Sequence, residues 1–248
     1  MADESYHRLL AEYRKRDNYG VVFRNALDHL ADKVDFNWVS SCVAFGPGSG
    51  EREMELARRL LPNLRAFHAV DSDPESVKVL RSSFENDQLP GVETSVEETS
   101  LERWNGVDNP VDAVLLISML PHVQAADRKA LFQQLMTKYL NPVGIVIIVE
   151  NICSVPSGYL LLLERLGLPR DDYELMEKEM RDAGFRVVLK HDLRITRDLS
   201  NPSDEVVKFI QLLTDGRSSE REVRAAIDDI FSQPNMDICM KKIAIFAK

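Results

Sequence analysis

Cysteine is scarce in this sequence, and its spacing argues against the common metal centres. Three cysteines occur among 248 residues, and no two of them form a CxxC pair. Structural zinc sites and iron–sulfur clusters need closely spaced thiolates, so the sequence predicts no metal site. We expect the three side chains to be buried free thiols in a reducing compartment. They are Cys42, Cys153 and Cys239.

A long apolar run and a surplus of positive charge are also missing. No apolar segment approaches the roughly 20 residues that span a bilayer, and the opening residues MADESYHRLL are charged rather than signal-like. With 31 Lys+Arg against 40 Asp+Glu, the net charge is -9, which disfavours a broad phosphate-binding surface. We therefore expect a cytoplasmic protein with no nucleic-acid or membrane partner, and we expect it to be a monomer.

Apolar strands alternate with amphipathic helices along most of the chain. Strands are predicted over residues 39–45, 67–70, 92–96, 112–119, 142–149, 185–189 and 238–246. Helices are predicted over 5–32 with a break at Asp17-Asn18, then over 51–61, 74–84, 125–139, 159–166, 171–183, and as a pair within 203–232. This alternation predicts an α/β fold with a mostly parallel seven-stranded sheet and helices on both faces.

The segment CVAFGPGSGERE, residues 42–53, is a glycine-rich loop between a predicted strand and a predicted helix. Such a loop suits a phosphate or a nucleoside, because glycine lets a ligand approach the backbone closely. A triphosphate loop needs lysine followed by serine or threonine after its last glycine, and Glu51 stands there instead. A dinucleotide loop has the pattern GxGxxG, and Glu51 occupies the place of its third glycine. The first alternative is set aside, and the second is weakened but stays open.

A nucleoside cofactor without a pyrophosphate is the third alternative, and Asp71 favours it. This carboxylate follows the second predicted strand, where an acid can bind the ribose hydroxyls. S-adenosylmethionine has the required nucleoside and no phosphate, so Glu51 beside the loop is tolerable. A tight turn followed by a helix-start aspartate would give the same residues with no ligand at all.

Five segments carry a resemblance to a known family. They are NYGVVFRNALDHLADK (18–33), GPGSGE (46–51), EETS (97–100), DAVLLISMLPHV (112–123) and SGYLLLLERLG (157–167). The chain resembles class I S-adenosylmethionine-dependent methyltransferases over about residues 38–248, and the histamine N-methyltransferases among them over nearly its whole length. The resemblance implies a Rossmann-like single domain. Its parts would be a helical cap over 1–37, a cofactor-binding core over 38–150, and the remaining core with acceptor-side helices over 151–248.

The resemblance also implies a binding set for S-adenosylmethionine. The loop would line the methionine and ribose portions, Asp71 would hold the ribose, and Ser100 and Ile117 would lie against the adenine. Ser100 as a helix cap and Ile117 as an ordinary core residue remain alternatives. The full expected set is Gly46, Pro47, Gly48, Gly50, Glu51, Asp71, Ser100 and Ile117.

For the methyl acceptor, the resemblance implies an acid inside a box of aromatic side chains. A carboxylate among aromatic rings suits a small cation, through charge-assisted hydrogen bonds and ring-face contacts. The sequence departs from the family at Pro121-His122, which replaces paired aromatics, and before the last strand, where Cys239 lies nearest to a replaced polar residue. His122 either faces the acceptor or packs structurally. The expected acceptor set is Tyr19, Phe23, Asp32, His122 and Tyr159.

The reaction implied by the resemblance is N-methylation of a small amine or imidazole such as histamine. Methyl transfer from a sulfonium is an in-line displacement that depends mainly on orientation and desolvation, so we expect no dedicated catalytic residue. Three alternatives stay open: a methyltransferase for another small acceptor, a nicotinamide-dependent oxidoreductase, which Glu51 disfavours, and a cofactor-binding protein without catalytic activity.

Overall fold

The structure is a computed structural model, and it describes residues 5–86, 89–101, 103–153, 157–168, 173–232 and 238–248. The first two residues of the helix predicted over 171–183 lie outside these ranges. Among the described residues, no helix combines the length and the apolar content that a membrane crossing requires. All three cysteines are free thiols; Cys42 and Cys239 are buried and Cys153 is half-buried.

Seven strands form one sheet, in the order β3-β2-β1-β4-β5-β7-β6. Strand β1 runs parallel to β2 and to β4, β2 is parallel to β3, and β4 to β5. The predicted mostly parallel seven-stranded sheet of an α/β fold is therefore confirmed. The chain order changes direction between β1 and β4, and ligands of open α/β sheets bind outside the carboxyl ends of strands at such a point. The strands are β1 Ser41–Phe45, β2 Ala66–Asp71, β3 Glu93–Glu98, β4 Val111–Ile117, β5 Leu140–Asn151, β6 Arg186–Thr196 and β7 Ile238–Ala247.

The described helices follow the predicted pattern and begin at residues suited to cap them. Asp73 accepts a hydrogen bond from the Ser76 N–H at 3.0 Å, with Pro74 in the first turn of α4. Ser219 and Glu222 form a capping box at the start of α9. The helices are α1 Ser5–Arg14, α2 Tyr19–Ala31, α3 Glu51–Leu60, α4 Pro74–Glu85, α5 Ala125–Gln134, α6 Gly158–Arg165, α7 Tyr173–Asp182, α8 Asp204–Leu213 and α9 Glu220–Phe231.

The chain divides into two compact units, each built from separate stretches of sequence. The helical unit comprises Met1–Phe23, Asn151–Asp172 and Asp192–Lys241, and the sheet unit comprises Arg24–Glu150, Tyr173–His191 and Lys242–Lys248. In the sheet unit, a core that includes Val114, Leu116 and Val146 is fully buried. In the helical unit, α1, α6, α8 and α9 enclose a second core around Leu199 and Val207. The single domain stays a prediction.

Hydrogen bonds to Asp112 join the start of β4 to the start of β1. These are the two strands between which the chain order of the sheet changes direction. The Asp112 Oδ2 accepts hydrogen bonds from the N–H and the hydroxyl of Ser40, both at 2.8 Å, and from the Ser41 N–H at 3.1 Å. Asn141 donates to its Oδ1 at 2.6 Å. Burial alone would raise the pKa of Asp112, but these hydrogen bonds to the charged form outweigh it, and the pKa lies below its ordinary value.

Candidate functional site

The glycine loop has a backbone that only glycine adopts without strain. Gly46, Gly48 and Gly50 have φ of 57°, 58° and 72°, in the left-handed region. The loop is held at both ends, because the Gly46 N–H donates to the Val70 carbonyl at 2.8 Å and the Gly50 N–H donates to the Pro47 carbonyl at 2.9 Å. It therefore forms a fixed turn at the carboxyl end of β1, beside the change of direction.

Asp71 joins the end of β2 to this loop. Its Oδ2 accepts a hydrogen bond from the Gly48 N–H at 2.9 Å, and its Oδ1 accepts one from the Asp73 N–H at 3.0 Å. The residue is 8% exposed. Each carboxylate oxygen can accept more than one hydrogen bond. Each oxygen of Asp71 could therefore accept a hydrogen bond from a ribose hydroxyl in addition to the backbone N–H that it already binds.

The three glycines differ in the space around them. A Cβ at Gly50 would lie 2.5 Å from Leu80 Cδ2, and one at Gly46 would lie 3.1 Å from Met119 Cβ. A Cβ at Gly48 would have no atom within 4 Å. The outer two glycines thus permit tight packing behind the loop, while the middle one borders open space. A turn whose middle glycine borders open space beside a carboxylate is compatible with the predicted binding of S-adenosylmethionine.

The other predicted cofactor residues lie at the same carboxyl edge of the sheet unit. Ser100 follows β3 and is half-buried, and the Thr99 N–H beside it donates to the Asp71 carbonyl at 3.0 Å. The Ser100 carbonyl accepts hydrogen bonds from the N–H groups of Arg103 and Trp104, both at 3.1 Å. Ile117 ends β4, pairs with Val149 and is 7% exposed. Their adenine contacts stay predictions.

Two further members of the predicted sets are exposed. Glu51 opens α3, and its carboxylate lies 3.6 Å from the Arg52 guanidinium. His122 ends a short 3-10 turn, Leu120–His122, which follows β4. The exposed position of His122 at the carboxyl edge is compatible with a role toward the acceptor. The acceptor contact of His122 stays a prediction.

Ser118 is a candidate site residue that the sequence reasoning missed. It directly follows β4 with φ of 53°, and its N–H donates to the Val149 carbonyl at 2.9 Å. Within the described part of the chain, the two other non-glycine residues at positive φ are Asn201 and Asp215, types that adopt this conformation readily. A serine held there at the change of direction marks a strained position of the kind found at functional sites. The sequence signal was a polar residue ending the apolar run DAVLLI.

Asp32 lies in a mixed environment, at a cleft lined by charged residues and also by apolar ones such as Phe36 and Leu60. Its side chain is exposed and borders this cleft of about 390 Å³, which Lys33, Asp35 and Arg59 also line. Arg59 belongs to the last turn of α3 and pairs with Asp28 at 2.6 Å. Since the glycine loop adjoins the first turn of α3, about 13 Å away along the helix axis, the structure separates Asp32 from the loop. The predicted pairing of an enclosed acid with a cationic acceptor is not seen at this residue.

The three predicted aromatic residues all belong to the helical unit, and cations of the protein face two of their rings. The Tyr19 and Phe23 ring centroids are 5.5 Å apart. Lys241 Nζ lies 5.6 Å from the Tyr19 centroid, and the Arg197 guanidinium carbon lies 5.0 Å from the Tyr159 centroid. Aromatic rings and positively charged side chains are therefore adjacent in the helical unit.

Arg197 is tied to the junction of α1 and α2. Two of its nitrogens donate to Asp17 Oδ2, at 2.8 and 3.2 Å, and its guanidinium also faces the Tyr13 ring at 4.8 Å. Both partners are almost completely buried, with 7% and 2% of their side chains exposed. Burial raises the pKa of Tyr13 to about 12, although Arg197 works in the opposite direction, so the phenol stays neutral. The Asp17 carboxylate is therefore paired with the Arg197 guanidinium within the protein.

Part of the chain is similar to a known family of sequences. Residues 43–144 match a family model described as a methyltransferase domain, and this range contains the glycine loop, Asp71, Ser100 and Ile117. No curated protein has a sequence that matches the chain significantly. The family match thus covers the part of the chain where the site geometry was found.

Solved structures share the fold at low sequence identity. A protein from Bacillus halodurans C-125 is 16% identical, with a TM-score of 0.64 over 91% of this chain and 98% of that chain. The N-methyltransferase NodS from Bradyrhizobium japonicum WM9, in complex with S-adenosyl-l-homocysteine, is 13% identical, with a TM-score of 0.56 over 99% of both chains. The [4+2]-cyclase SpnF is 15% identical, with a TM-score of 0.57 over 91% of this chain and 80% of that one. At these identities the likeness establishes the fold alone.

Proposed function

We propose that the chain is a class I methyltransferase that uses S-adenosylmethionine, and that it methylates a nitrogen of a small amine or imidazole, histamine being one example. The observation that supports the proposal is the glycine loop braced by Asp71 at the change of strand direction, with open space at Gly48. The nitrogen acceptor rests on the resemblance to the histamine N-methyltransferases.

The residues of the sheet unit would hold the cofactor. Asp71 would accept hydrogen bonds from the ribose hydroxyls, the backbone around Gly48 would contact the methionine portion, and Ile117 would pack against the adenine. S-adenosylmethionine, when bound, supplies a methyl group on a positively charged sulfur and leaves as S-adenosylhomocysteine. Because Asp71 and the loop are fixed to one another before any ligand arrives, binding would need little rearrangement of the backbone.

The acceptor nitrogen must present its lone pair in line with the sulfur–methyl bond. It forms the new nitrogen–carbon bond as the sulfur–methyl bond breaks. The methylated cation then releases a proton to water, from the other ring nitrogen of an imidazole or from the attacking nitrogen of an amine. The acceptor set that the resemblance implies would orient the acceptor and exclude water from the reacting atoms. An imidazole is largely unprotonated near neutral pH, so it needs no protein base, whereas an alkyl amine would have to lose a proton first.

A methyl-transfer screen with mass detection tests this proposal. Purified protein is incubated with S-adenosylmethionine and a panel of biogenic amines and imidazoles, with matching hydroxyl and carboxyl compounds as controls. We expect at least one nitrogen compound to gain one methyl group and an equal amount of S-adenosylhomocysteine to form. Methylation confined to the oxygen compounds would assign another acceptor class. Binding of S-adenosylhomocysteine without any methylation would favour a protein that holds the cofactor without catalysis.

A further inference from the structure

The segment that follows β4, residues 118–122, is held in place by two consecutive residues of β5. We call this segment the β4 turn. The Ser118 N–H donates to the Val149 carbonyl at 2.9 Å, and the Leu120 N–H donates to Glu150 Oε1 at 3.4 Å. The first of these contacts uses the backbone of β5 and the second uses a side chain. The end of β5 therefore determines where the β4 turn lies.

The β4 turn packs directly against the glycine loop. A Cβ at Gly46 would lie 3.1 Å from Met119 Cβ, which leaves no room for a side chain between the loop and the turn. Met119 and Leu120 are 7% and 0% exposed. Because protein interiors are close-packed and transmit strain, a shift of the turn would displace the loop at Gly46. All of these residues, together with Glu150, belong to the sheet unit.

Glu150 is a charged residue type at a completely buried position. It is 0% exposed, and it directly follows the buried apolar residues 145–149 of β5. Burying a carboxyl group away from water costs free energy unless hydrogen bonds compensate for it. An apolar side chain would avoid that cost but could not accept the Leu120 N–H. A side-chain oxygen that reaches the β4 turn is therefore what glutamate supplies at this position.

We propose that Glu150 is a positioning residue of the cofactor site, because its contact with the Leu120 N–H holds the β4 turn against Gly46 and so fixes the glycine loop in its binding form. This role acts through the backbone of the turn and needs no contact between Glu150 and the cofactor. It depends on the reach of the side-chain oxygen and not on its negative charge. The inference rests on the proposed function, because it takes the glycine loop to be the S-adenosylmethionine site.

Three substitutions separate the reach of the side chain from its charge. Glu150→Gln keeps the length and one oxygen but removes the charge, Glu150→Asp keeps the charge but is one methylene shorter, and Glu150→Ala removes both. Calorimetry measures the affinity of each variant for S-adenosylhomocysteine. We expect Glu150→Gln to bind within about threefold of wild type, and Glu150→Asp and Glu150→Ala to lose at least about tenfold. A role that depends on charge would reverse the order of Gln and Asp.

Asp112→Ala is the matched control for a general loss of stability. It also removes a carboxylate that accepts backbone N–H groups, but at the start of β4, the opposite end of that strand from the β4 turn. It should lower the melting temperature and keep the wild-type affinity for S-adenosylhomocysteine. Binding is measured well below the melting temperature of each variant. If Glu150→Ala does not fold, the comparison of Glu150→Gln with Glu150→Asp still decides the question.

The outcomes distinguish this inference from the proposed function. Wild-type affinity in folded Glu150→Asp and Glu150→Ala would overturn the positioning role and leave the proposed function intact. Weak binding by Glu150→Gln with full binding by Glu150→Asp would also overturn it, in favour of an effect of charge. An equal loss of affinity in Asp112→Ala would mean that reduced stability alone explains the result. Absence of S-adenosylhomocysteine binding in the wild type would overturn the proposed function and this inference with it.

Discussion

At the scale of single residues, the three glycines of the loop have different surroundings. Gly50 permits close contact with Leu80, whereas Gly48 borders open space and donates its N–H to Asp71. The sequence motif alone treats these positions alike. The structure predicts a different effect of an added side chain at each position, and alanine substitutions can distinguish these effects.

We predict that Gly48→Ala impairs cofactor binding more than stability, and that Gly50→Ala does the reverse. Alanine at either position costs about 1–2 kcal/mol for its left-handed backbone, and at Gly50 the overlap with Leu80 adds about 1–3 kcal/mol. Urea denaturation gives the free energy of unfolding, and calorimetry gives the affinity for S-adenosylhomocysteine. We expect Gly48→Ala to lose at least about tenfold in affinity.

Gly91 offers a matched control for this prediction. It lies before β3 with φ of 75° and, like Gly48, has no atom within 4 Å of an added Cβ. Gly91→Ala should therefore show the same backbone cost with unchanged affinity. Wild-type affinity in Gly48→Ala would mean that the open space beside this glycine is not where the cofactor binds.

The residues whose positions could be predicted from sequence are those that come at the end of a strand. Asp71 lies where expected because an apolar strand that ends in an acid places the carboxylate at the edge of the sheet. The partners of Tyr19 and Tyr159 could not be predicted, because Arg197 and Lys241 are remote in sequence and only the fold brings them to these rings. The strained backbone of Ser118 also depends on tertiary contacts, which no local pattern reveals.

At the scale of elements, hydrophobic patterning was sufficient to predict the sheet. Strand β4 is buried along its whole length, and such a continuous apolar run indicates a strand covered on both faces. The clearest difference is β6, which extends to Thr196, seven residues beyond the predicted end at 189. Alternating polar residues in that half weaken the apolar signal, because they face solvent while the backbone still pairs.

Asp112 gives a prediction at this scale, because its hydrogen bonds join two strands. Asp112→Ala should reduce the free energy of unfolding by about 2–3 kcal/mol near neutral pH, since it leaves donors of Ser40 and Ser41 without their acceptor. Asp108→Ala, a change at an exposed position just before β4, should cost less than about 0.5 kcal/mol. Urea denaturation measures both, and similar values for the two variants would contradict the role of Asp112.

The pH dependence of this effect has a definite sign. The folded-state pKa of Asp112 is lower than its ordinary value, so the charged carboxylate stabilises the fold above the unfolded pKa of about 3.9. That contribution is lost as the pH falls through the folded pKa. The difference in stability between wild type and Asp112→Ala should therefore be largest above about pH 5 and shrink in stronger acid.

At the scale of the whole molecule, the net charge does not describe the charges of the interior. The chain has a net charge of -9, which suits a small cationic ligand, whereas Arg197 and Lys241 are buried beside aromatic rings of the helical unit. Arg197 is paired there with the buried Asp17. Overall charge reports on solubility and long-range steering. The sign of a binding site depends on the few charges that the fold buries there.

The central claim is that the loop and Asp71 form the S-adenosylmethionine site, and calorimetry tests it most directly. Titration of S-adenosylhomocysteine into the wild-type protein should show binding to a single site. Asp71→Ala should weaken that binding more than about tenfold, because it removes the ribose acceptor and the brace on Gly48. Asp71→Asn should fall between the two, since the amide keeps one oxygen. Absence of binding in the wild type, or equal affinity in wild type and a folded Asp71→Ala, would contradict the account.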